Sequence, residues 1–263
     1  MAKGRARETL ETHALLVRSI PYGESDLVAQ FFTERYGRVS SMVRGGARSK
    51  KRASGAFEPF HTLSVRLDDS GGDLTNLREA EIVGVRVRLV GSLAAMDGAG
   101  RVLRWARALC PPRTPEPEVW ATLIAVLDTL DGLAAIAEPS DDAIAAVVVW
   151  AGLRLLAATG FGLALDACVA CGKHCPETRA ALIDVARGGV VCRACGGGGV
   201  LVDAKTRAAA IRLSTHVDVS DVRRDGAESL GAGADRALLA KLERLVTQAL
   251  EHHEIERARP RGG

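Results

Sequence analysis

Apolar and polar residues alternate with a period of two in the first third of the chain and then recur at helical spacing through most of the rest. His13 to Arg18, Arg38 to Arg44 and Leu74 to Val83 are short alternating runs. In a fourth, His61, Leu63, Val65 and Leu67 make an apolar-leaning face, with Thr62, Ser64 and Arg66 opposite. Such alternation places one face of a strand on a core and the other in water. The Ser70-Gly71-Gly72-Asp73 turn precedes the last run. Several short strands joined by Gly-containing loops predict a small closed barrel, an architecture that also removes exposed strand edges. One connection, Gly45 to Gly55, is long and basic.

After residue 82 the pattern becomes helical. Ser92 is placed to cap a helix running to about Leu109, which Pro111, Pro112, Pro115 and Pro117 end. A second helix is expected over Glu118 to Ala137, interrupted near Gly132, and a third from a Ser140 or Asp141 cap to about Thr159. A compact insert rich in Cys and Gly runs from Asp166 to about Val200. Asp203 can cap a helix over Ala204 to Leu213. From Asp235 to about Arg257, Leu238, Leu239, Leu242, Leu245, Val246 and Ala249 share one helix face. Residues 214–234 are too polar and glycine-containing to place. The expected fold class is α+β. It has a barrel over 1–82, a helical domain over 83–165 and 201–263, and a small cysteine module inserted at 166–200.

Composition narrows the class without naming a partner. A chain of 263 residues with 47% hydrophobic and 25% charged content can bury a sizeable core and is not disordered throughout. Its net charge is only +3, so the distribution of charge carries more than the total. Arg35, Arg38, Arg44, Arg48, Lys50, Lys51 and Arg52 fall in a stretch with no acidic residue, a candidate electrostatic footprint for DNA. Such a run is also compatible with a merely solvated loop. Its position in a barrel, with Tyr36 inside it and Phe31, Phe32 and Phe57 flanking it, favours a grip on nucleic acid. Arg18, Arg66 and Arg78 extend the patch if their strands face the same way. Met1 to Leu10 is polar and does not read as a secretory signal. Ala143 to Leu165, interrupted by Gly152, Arg154, Thr159 and Gly160, reads as a buried helix and a turn rather than a membrane span. A cytoplasmic location is expected, where reduced thiols suit metal better than disulfides.

Five of six cysteines lie between Cys168 and Cys195. Cys168-Val-Ala-Cys171 and Cys192-Arg-Ala-Cys195 are two CxxC knuckles at the spacing of a four-thiolate zinc site. Disulfides, a redox pair, and Cys175 in place of one ligand are the alternatives. Four thiolates close a tetrahedral shell, so the expected Zn²⁺ is structural, one per chain, with no open position for catalysis. His252-His253-Glu254 contains an H-x-E, but no PCxxC follows it as a zinc deaminase needs. Both histidines read as solvated, or as complementing a helix C-terminus. Gly196 to Gly199 is a turn rather than a phosphate cradle, and Cys110 an ordinary packed thiol. No catalytic residue is singled out, and the chain is not expected to be an enzyme.

A family resemblance rests on an ordered set of motifs. These are Tyr22-Gly23-Glu24-Ser25-Asp26, then Phe31 to Arg38 (FFTERYGR), the Gly45-Gly46-Ala47-Arg48 loop, Glu58-Pro59-Phe60 and Leu77 to Glu81 (LREAE). Gly160-Phe161 ahead of Cys168-x-x-Cys171-Gly172, and Gly188-Gly189-Val190 ahead of Cys192-x-x-Cys195, complete the set. Together they resemble the RecO family of bacterial recombination and repair proteins. The resemblance implies an N-terminal OB-fold, a helical domain and a zinc ribbon inserted within it. It implies binding of single- and double-stranded DNA, annealing of complementary strands, and work with a RecR partner to load recombinase onto protein-coated strands. It further implies contact between the helical domain and the acidic C-terminal tail of the single-strand-binding protein. A zinc-ribbon adaptor that mainly contacts protein is the rival class, and a metal-dependent nuclease or other enzyme the third.

Overall fold

The computed structural model describes residues 8–46, 59–135, 141–215 and 236–258. Arg48, Lys50, Lys51 and Arg52, the candidate cap Ser140, and most of the unplaced 214–234 stretch lie outside them.

Five strands open the chain: β1 (Glu8–Tyr22), β2 (Asp26–Thr33), β3 (Gly37–Val43), β4 (Thr62–Asp69) and β5 (Thr75–Gly84). They close a barrel in the order β1-β2-β3-β5-β4, the five-stranded Greek-key barrel of an OB-fold. Closure rests on a short parallel pairing of β3 with β5, Ser41 with Thr75 and Met42 with Asn76. The period-two pattern has its expected consequence on β4: Leu63, Val65 and Leu67 are buried while Ser64 and Arg66 are exposed. Leu16, Ala29, Phe31, Val39 and Val43 join them inside the barrel.

The helices are α1 (Val87–Val90), α2 (Leu93–Leu109), α3 (Pro117–Leu133), α4 (Asp141–Ala158), α5 (Ala204–Thr215) and α6 (Arg236–Ala258). Ser92 caps α2, its hydroxyl accepting from the Ala95 amide at 3.3 Å. The second helix begins on Pro117 itself, where the missing N–H costs nothing, and runs through Gly132 without a break. Helix α4 is buried over most of its circumference and packs against α2, α3 and α6. Its apolar length is therefore a domain core, and no described helix is long and apolar enough to cross a membrane. Gly152 permits the closest approach, since a Cβ there would strike Val246 of α6. The apolar face read from α6 is buried throughout, from Leu238 to Ala249.

Barrel and helices share a seam. Leu15 and Phe32, paired across β1 and β2, turn outward from the barrel and join the helical core with Phe60. Arg86, 4% exposed, donates through Nε to Asp128 at 2.8 Å and through Nη1 to the Phe60 carbonyl at 2.8 Å and the Thr62 hydroxyl at 3.0 Å. Asp131 of α3 accepts from the Arg88 and Leu89 amides at 3.0 and 2.9 Å. The link from α2 to α3 is stapled to the barrel by Arg113, which pairs with Asp69 and donates to the Gly72 carbonyl at 2.8 Å. Gly37, at φ 64°, lies so close to the Thr114 carbonyl that a side chain there has no room.

Candidate nucleic-acid interface and metal centre

Directly opposed residues of antiparallel strands point to the same side. Beyond the Leu15–Phe32 pair covered by helices, β1, β2 and β3 continue as an outer face that is exposed along β1, at Arg18, Ile20 and Tyr22, and half-buried along β2 and β3. Arg18 lies opposite Gln30 and Gln30 opposite Ser40; Ile20 lies opposite Val28 and Val28 opposite Met42. Tyr22, 59% exposed, is paired with Asp26 at the β1–β2 tip. Arg44 is exposed just past β3, and the amide of Gly45 donates to Asp26 at 2.8 Å. The tip thus gathers one aromatic ring, three apolar residues and two arginines where the chain enters the basic 47–52 stretch.

The described members of the basic run, Arg35, Arg38 and Arg44, do not form a single cluster. Arg35 is exposed in the β2–β3 turn, Arg38 is half-buried at the start of β3, and Arg44 follows its far end. Six residues of strand separate Arg38 from Arg44 by about 20 Å. Among the tentative extensions, Arg18 is exposed on the outer face. Arg66 is instead matched by Glu11 at 2.8 Å and Glu79 at 3.1 Å, and Arg78 by Asp68 at 2.5 Å. Tyr36 and Phe31 pack with the barrel interior and Phe32 with the helical seam, so none of the three offers an open ring. Tyr22 offers one.

The insert carries the second site. Strands β6 (Ala181–Asp184), β7 (Gly189–Val190) and β8 (Val200–Val202) form a small sheet in the order β7-β6-β8. The two knuckles meet beside it. In the first, the Gly172 amide closes back on the Cys168 carbonyl at 2.8 Å. In the second, Gly197 donates to the Cys192 carbonyl at 3.0 Å around a 3₁₀ turn at Arg193–Cys195. Cys168, Cys171, Cys192 and Cys195 place their sulfurs within 4.8 Å of one another. Cys171 and Cys192 Sγ are 3.8 Å apart, against a tetrahedral edge of about 3.8 Å for zinc–thiolate bonds of about 2.3 Å.

The electrostatics suit a divalent ion. The Cys192 amide donates to Cys168 Sγ at 3.3 Å, and with the Ala170 and Cys171 amides it pulls the Cys168 thiol down to about 6. Cys195 is pushed up to about 12 by its hydrogen bonds to the Cys192 and Cys171 sulfurs. Four thiols this close cannot all ionise without a cation between them, and a bound metal reverses that balance. The four sulfurs fit such an ion. Cys175 is outside the cluster: its amide donates to the Asp166 carbonyl at 2.7 Å and it packs against the helical core. Cys110 is buried, as a packed thiol should be.

Two side chains escaped the sequence. Arg207 of α5 is fully buried and donates to the carbonyls of Leu165 at 2.8 Å, Cys175 at 3.0 Å and Pro176, tying the insert's flank to the helices. His253 is not solvated: it is 5% exposed and stacks on Phe161 with ring centroids 4.0 Å apart. Its spacing from Leu245 and Ala249 already placed it on the apolar face.

Comparison with known proteins agrees with this architecture. Residues 7–86 match the family described as recombination protein O N terminal, and residues 92–254 match recombination protein O C terminal. A DNA repair protein RecO of Anaeromyxobacter sp. (strain K) is 34% identical over 233 residues, 87% of this chain and 88% of that protein. One of Geobacter sulfurreducens is 34% identical over 197 residues, 75% and 77% of the two chains. One of Myxococcus xanthus is 31% identical over 189 residues, 72% and 73%. With a closed five-stranded barrel, a helical domain and a four-cysteine insert in that order, the chain belongs to the RecO family of DNA repair proteins.

Proposed function

We propose that this chain is a non-catalytic mediator of recombinational repair. It binds single- and double-stranded DNA, anneals complementary strands and helps load recombinase onto strands coated by single-strand-binding protein. The observation that carries this reading is the outer face of β1–β2–β3, which exposes Tyr22 and Arg18 and ends at the exposed Arg44, just ahead in sequence of the basic 47–52 stretch. Barrels of this strand order grip single strands on this face, with bases stacking on aromatic rings and cations following the backbone. Arg35, Arg38, Arg44, Arg48, Lys50, Lys51 and Arg52 supply the phosphate contacts. Those contacts carry no sequence information, so binding is sequence-tolerant and falls steeply with salt. Neutralising two strands together removes the repulsion that slows their pairing. No bond is made or broken, so no catalytic residue is required.

Zn²⁺ is the proposed ion of the four-cysteine cluster, one per chain, held by Cys168, Cys171, Cys192 and Cys195. When bound it supplies a crosslink that holds the insert folded, with no coordination position left for substrate. The proposed partners are DNA, a RecR-like protein and the C-terminal tail of the single-strand-binding protein, met at the bacterial chromosome in the cytoplasm.

The test is annealing of two complementary oligonucleotides by the zinc-loaded protein, with and without a single-strand-binding-protein coat, across a salt series. Salt-sensitive acceleration that survives the coat is expected. Replacing Arg48, Lys50, Lys51 and Arg52 with Ala should flatten the salt dependence of binding. A folded, zinc-loaded protein that accelerates nothing points instead to an adaptor that contacts only protein.

A further inference from the structure

Among the cations of the seam between barrel and helices, two stand apart. Arg86 is matched by Asp128 and Arg113 by Asp69. Arg38 and Arg107 have no carboxylate partner among the described residues. Arg38 sits on the outer face of β3, opposite Phe32, which the helices cover. Its carbonyl accepts from the Arg113 amide at 2.9 Å, which draws β3 against the end of α2 and the link after it. Its Nε is enclosed and has no hydrogen-bond partner among the described residues. Arg107 is half-buried in the last turn of α2, five residues before Pro112, which bridges to Arg38 on β3, so the two cations are carried to the same edge of the seam and repel each other. After burial, that repulsion is the largest influence lowering Arg38 from its ordinary range.

Two half-buried guanidiniums brought together without an acid form an arrangement that an anion completes, since guanidinium matches phosphate geometry. The surroundings set its direction. Arg104 is exposed one turn earlier on α2, and Arg35 is exposed in the neighbouring turn of the barrel. A basic track therefore leaves the barrel, passes the unmatched pair and climbs the helix.

We propose that Arg38 and Arg107 together seat one backbone phosphate of DNA, so that the bound strand crosses from the barrel onto helix α2. This rests on the DNA-binding reading above and adds a helical-domain residue that the barrel face does not contain. The seat reads charge rather than sequence. Occupied, it replaces a repulsion within the seam by two attractions.

The experiment is binding of a labelled single-stranded oligonucleotide across a salt series, using the full zinc-loaded chain and its Arg107→Gln, Arg38→Gln and doubly substituted forms. Thermal melting is run in parallel in a phosphate-free buffer and with added inorganic phosphate. Arg107→Gln is expected to weaken DNA binding about 5- to 10-fold near 100 mM salt and to reduce the salt slope by about 1. Arg38→Gln should do the same, and the double form little more, because the two share one phosphate. In phosphate-free buffer Arg107→Gln should melt no lower than the unsubstituted chain, which a structural brace would not allow. If the unsubstituted chain binds DNA with a steep salt slope and Arg107→Gln leaves that slope unchanged, this seat is overturned while the DNA-binding reading stands. Weaker binding accompanied by lower melting also overturns it and makes Arg107 a brace. If the unsubstituted chain binds no DNA, the broader reading fails and DNA is lost as the occupant. Stabilisation by inorganic phosphate that Arg107→Gln abolishes then identifies a free-anion site.

Discussion

Replacing Arg207 with Met tests how the cysteine insert is fastened to the helices. The guanidinium is fully buried on α5 and pairs with no carboxylate of the described residues. Its charge is met by the carbonyls of Leu165, before the first knuckle, and of Cys175 and Pro176, after it. Met fills much of the stem's volume but leaves all three carbonyls without their donor. The Leu165 bond is buried and the other two partly so. At about 1 to 3 kcal/mol for each fully buried orphan, and less where water reaches, the loss is about 3 to 6 kcal/mol. Recovering the cost of burying the cation offsets part of this, leaving a net destabilisation of about 2 to 4 kcal/mol. Arg207→Lys keeps the charge but replaces a planar fork by a compact ammonium, so an intermediate loss is expected. Urea unfolding of the zinc-loaded protein gives the free energy, and the rate of metal release to a chelator reports on the insert itself. Release should accelerate in the order native, Lys, Met. A Met variant as stable as the native chain, with unchanged release, would refute the idea that these carbonyls depend on Arg207.

Other consequences are as direct. Cys192→Ser should cost the chain its zinc and unfold the insert, since a structural site's binding energy is folding energy; metal analysis after gel filtration decides, and retained zinc at one per chain would overturn the ligand set. Asp203 caps α5 at the Thr206 amide (2.9 Å) and pairs with Lys241 (2.8 Å), and the Lys241 ammonium first, then that amide, lowers its carboxyl to about 2. Its contribution is therefore complete above the ordinary carboxylate range and lost as pH falls from about 4 towards 2. Asp203→Asn, which keeps the cap but not the charge, should remove that acid dependence, while Asp203→Ala should cost about 1 kcal/mol even at neutral pH. Arg86→Met should cost about 3 kcal/mol or more by urea unfolding, because it strands the buried Phe60 carbonyl, whereas Asp128→Asn, whose side chain is 61% exposed, should cost under about 1 kcal/mol. Equal costs at the two positions would mean that the ion pair, not the carbonyl, holds the seam.

What could be read in advance followed from how local each signal is. The knuckles were legible because a CxxC turn aims its sulfurs by itself, and the caps at Ser92 and Asp203 because one side chain and one amide three residues on suffice. The alternation of β4 was legible because one of its faces is wet. Strand β2 was missed for the opposite reason. Phe31 fills the barrel and Phe32 lies under the helices, so both faces are apolar and the period of two disappears. Charges close in sequence suggest charges close in space, and for Arg38 and Arg44, at either end of β3 in the basic run, that does not hold. A strand extends by about 3.3 Å per residue, and β3 carries Arg38 and Arg44 to opposite ends of the barrel. Arg207 was illegible in principle, since its acceptors come from residues some thirty to forty positions away.

That separation of Arg38 from Arg44 bears on how the molecule handles a strand. The exposed face around Tyr22 and the unmatched arginines at the seam lie at two ends of the same outer surface of β3. Between them Gln30 and Ser40 lie opposite each other, and neither brings a negative charge. A strand held at both ends would run along β3 and leave the barrel over α2. Its backbone would be fixed and its bases, stacked at only one end, would remain available to a complement. The Arg86, Asp131 and Arg113 contacts hold barrel and helices in one orientation without DNA, so such a track exists before binding and no ordering of the two units is required at that moment. Gly37 sits at the tightest point of this arrangement, against Thr114. A side chain there would separate β3 from the link after α2 and move Arg38 away from Arg107. Gly37→Ala should therefore weaken DNA binding without removing a single charge, and oligonucleotide affinity at fixed salt measures it; an unaltered affinity in a folded variant would show that the track does not depend on the seam.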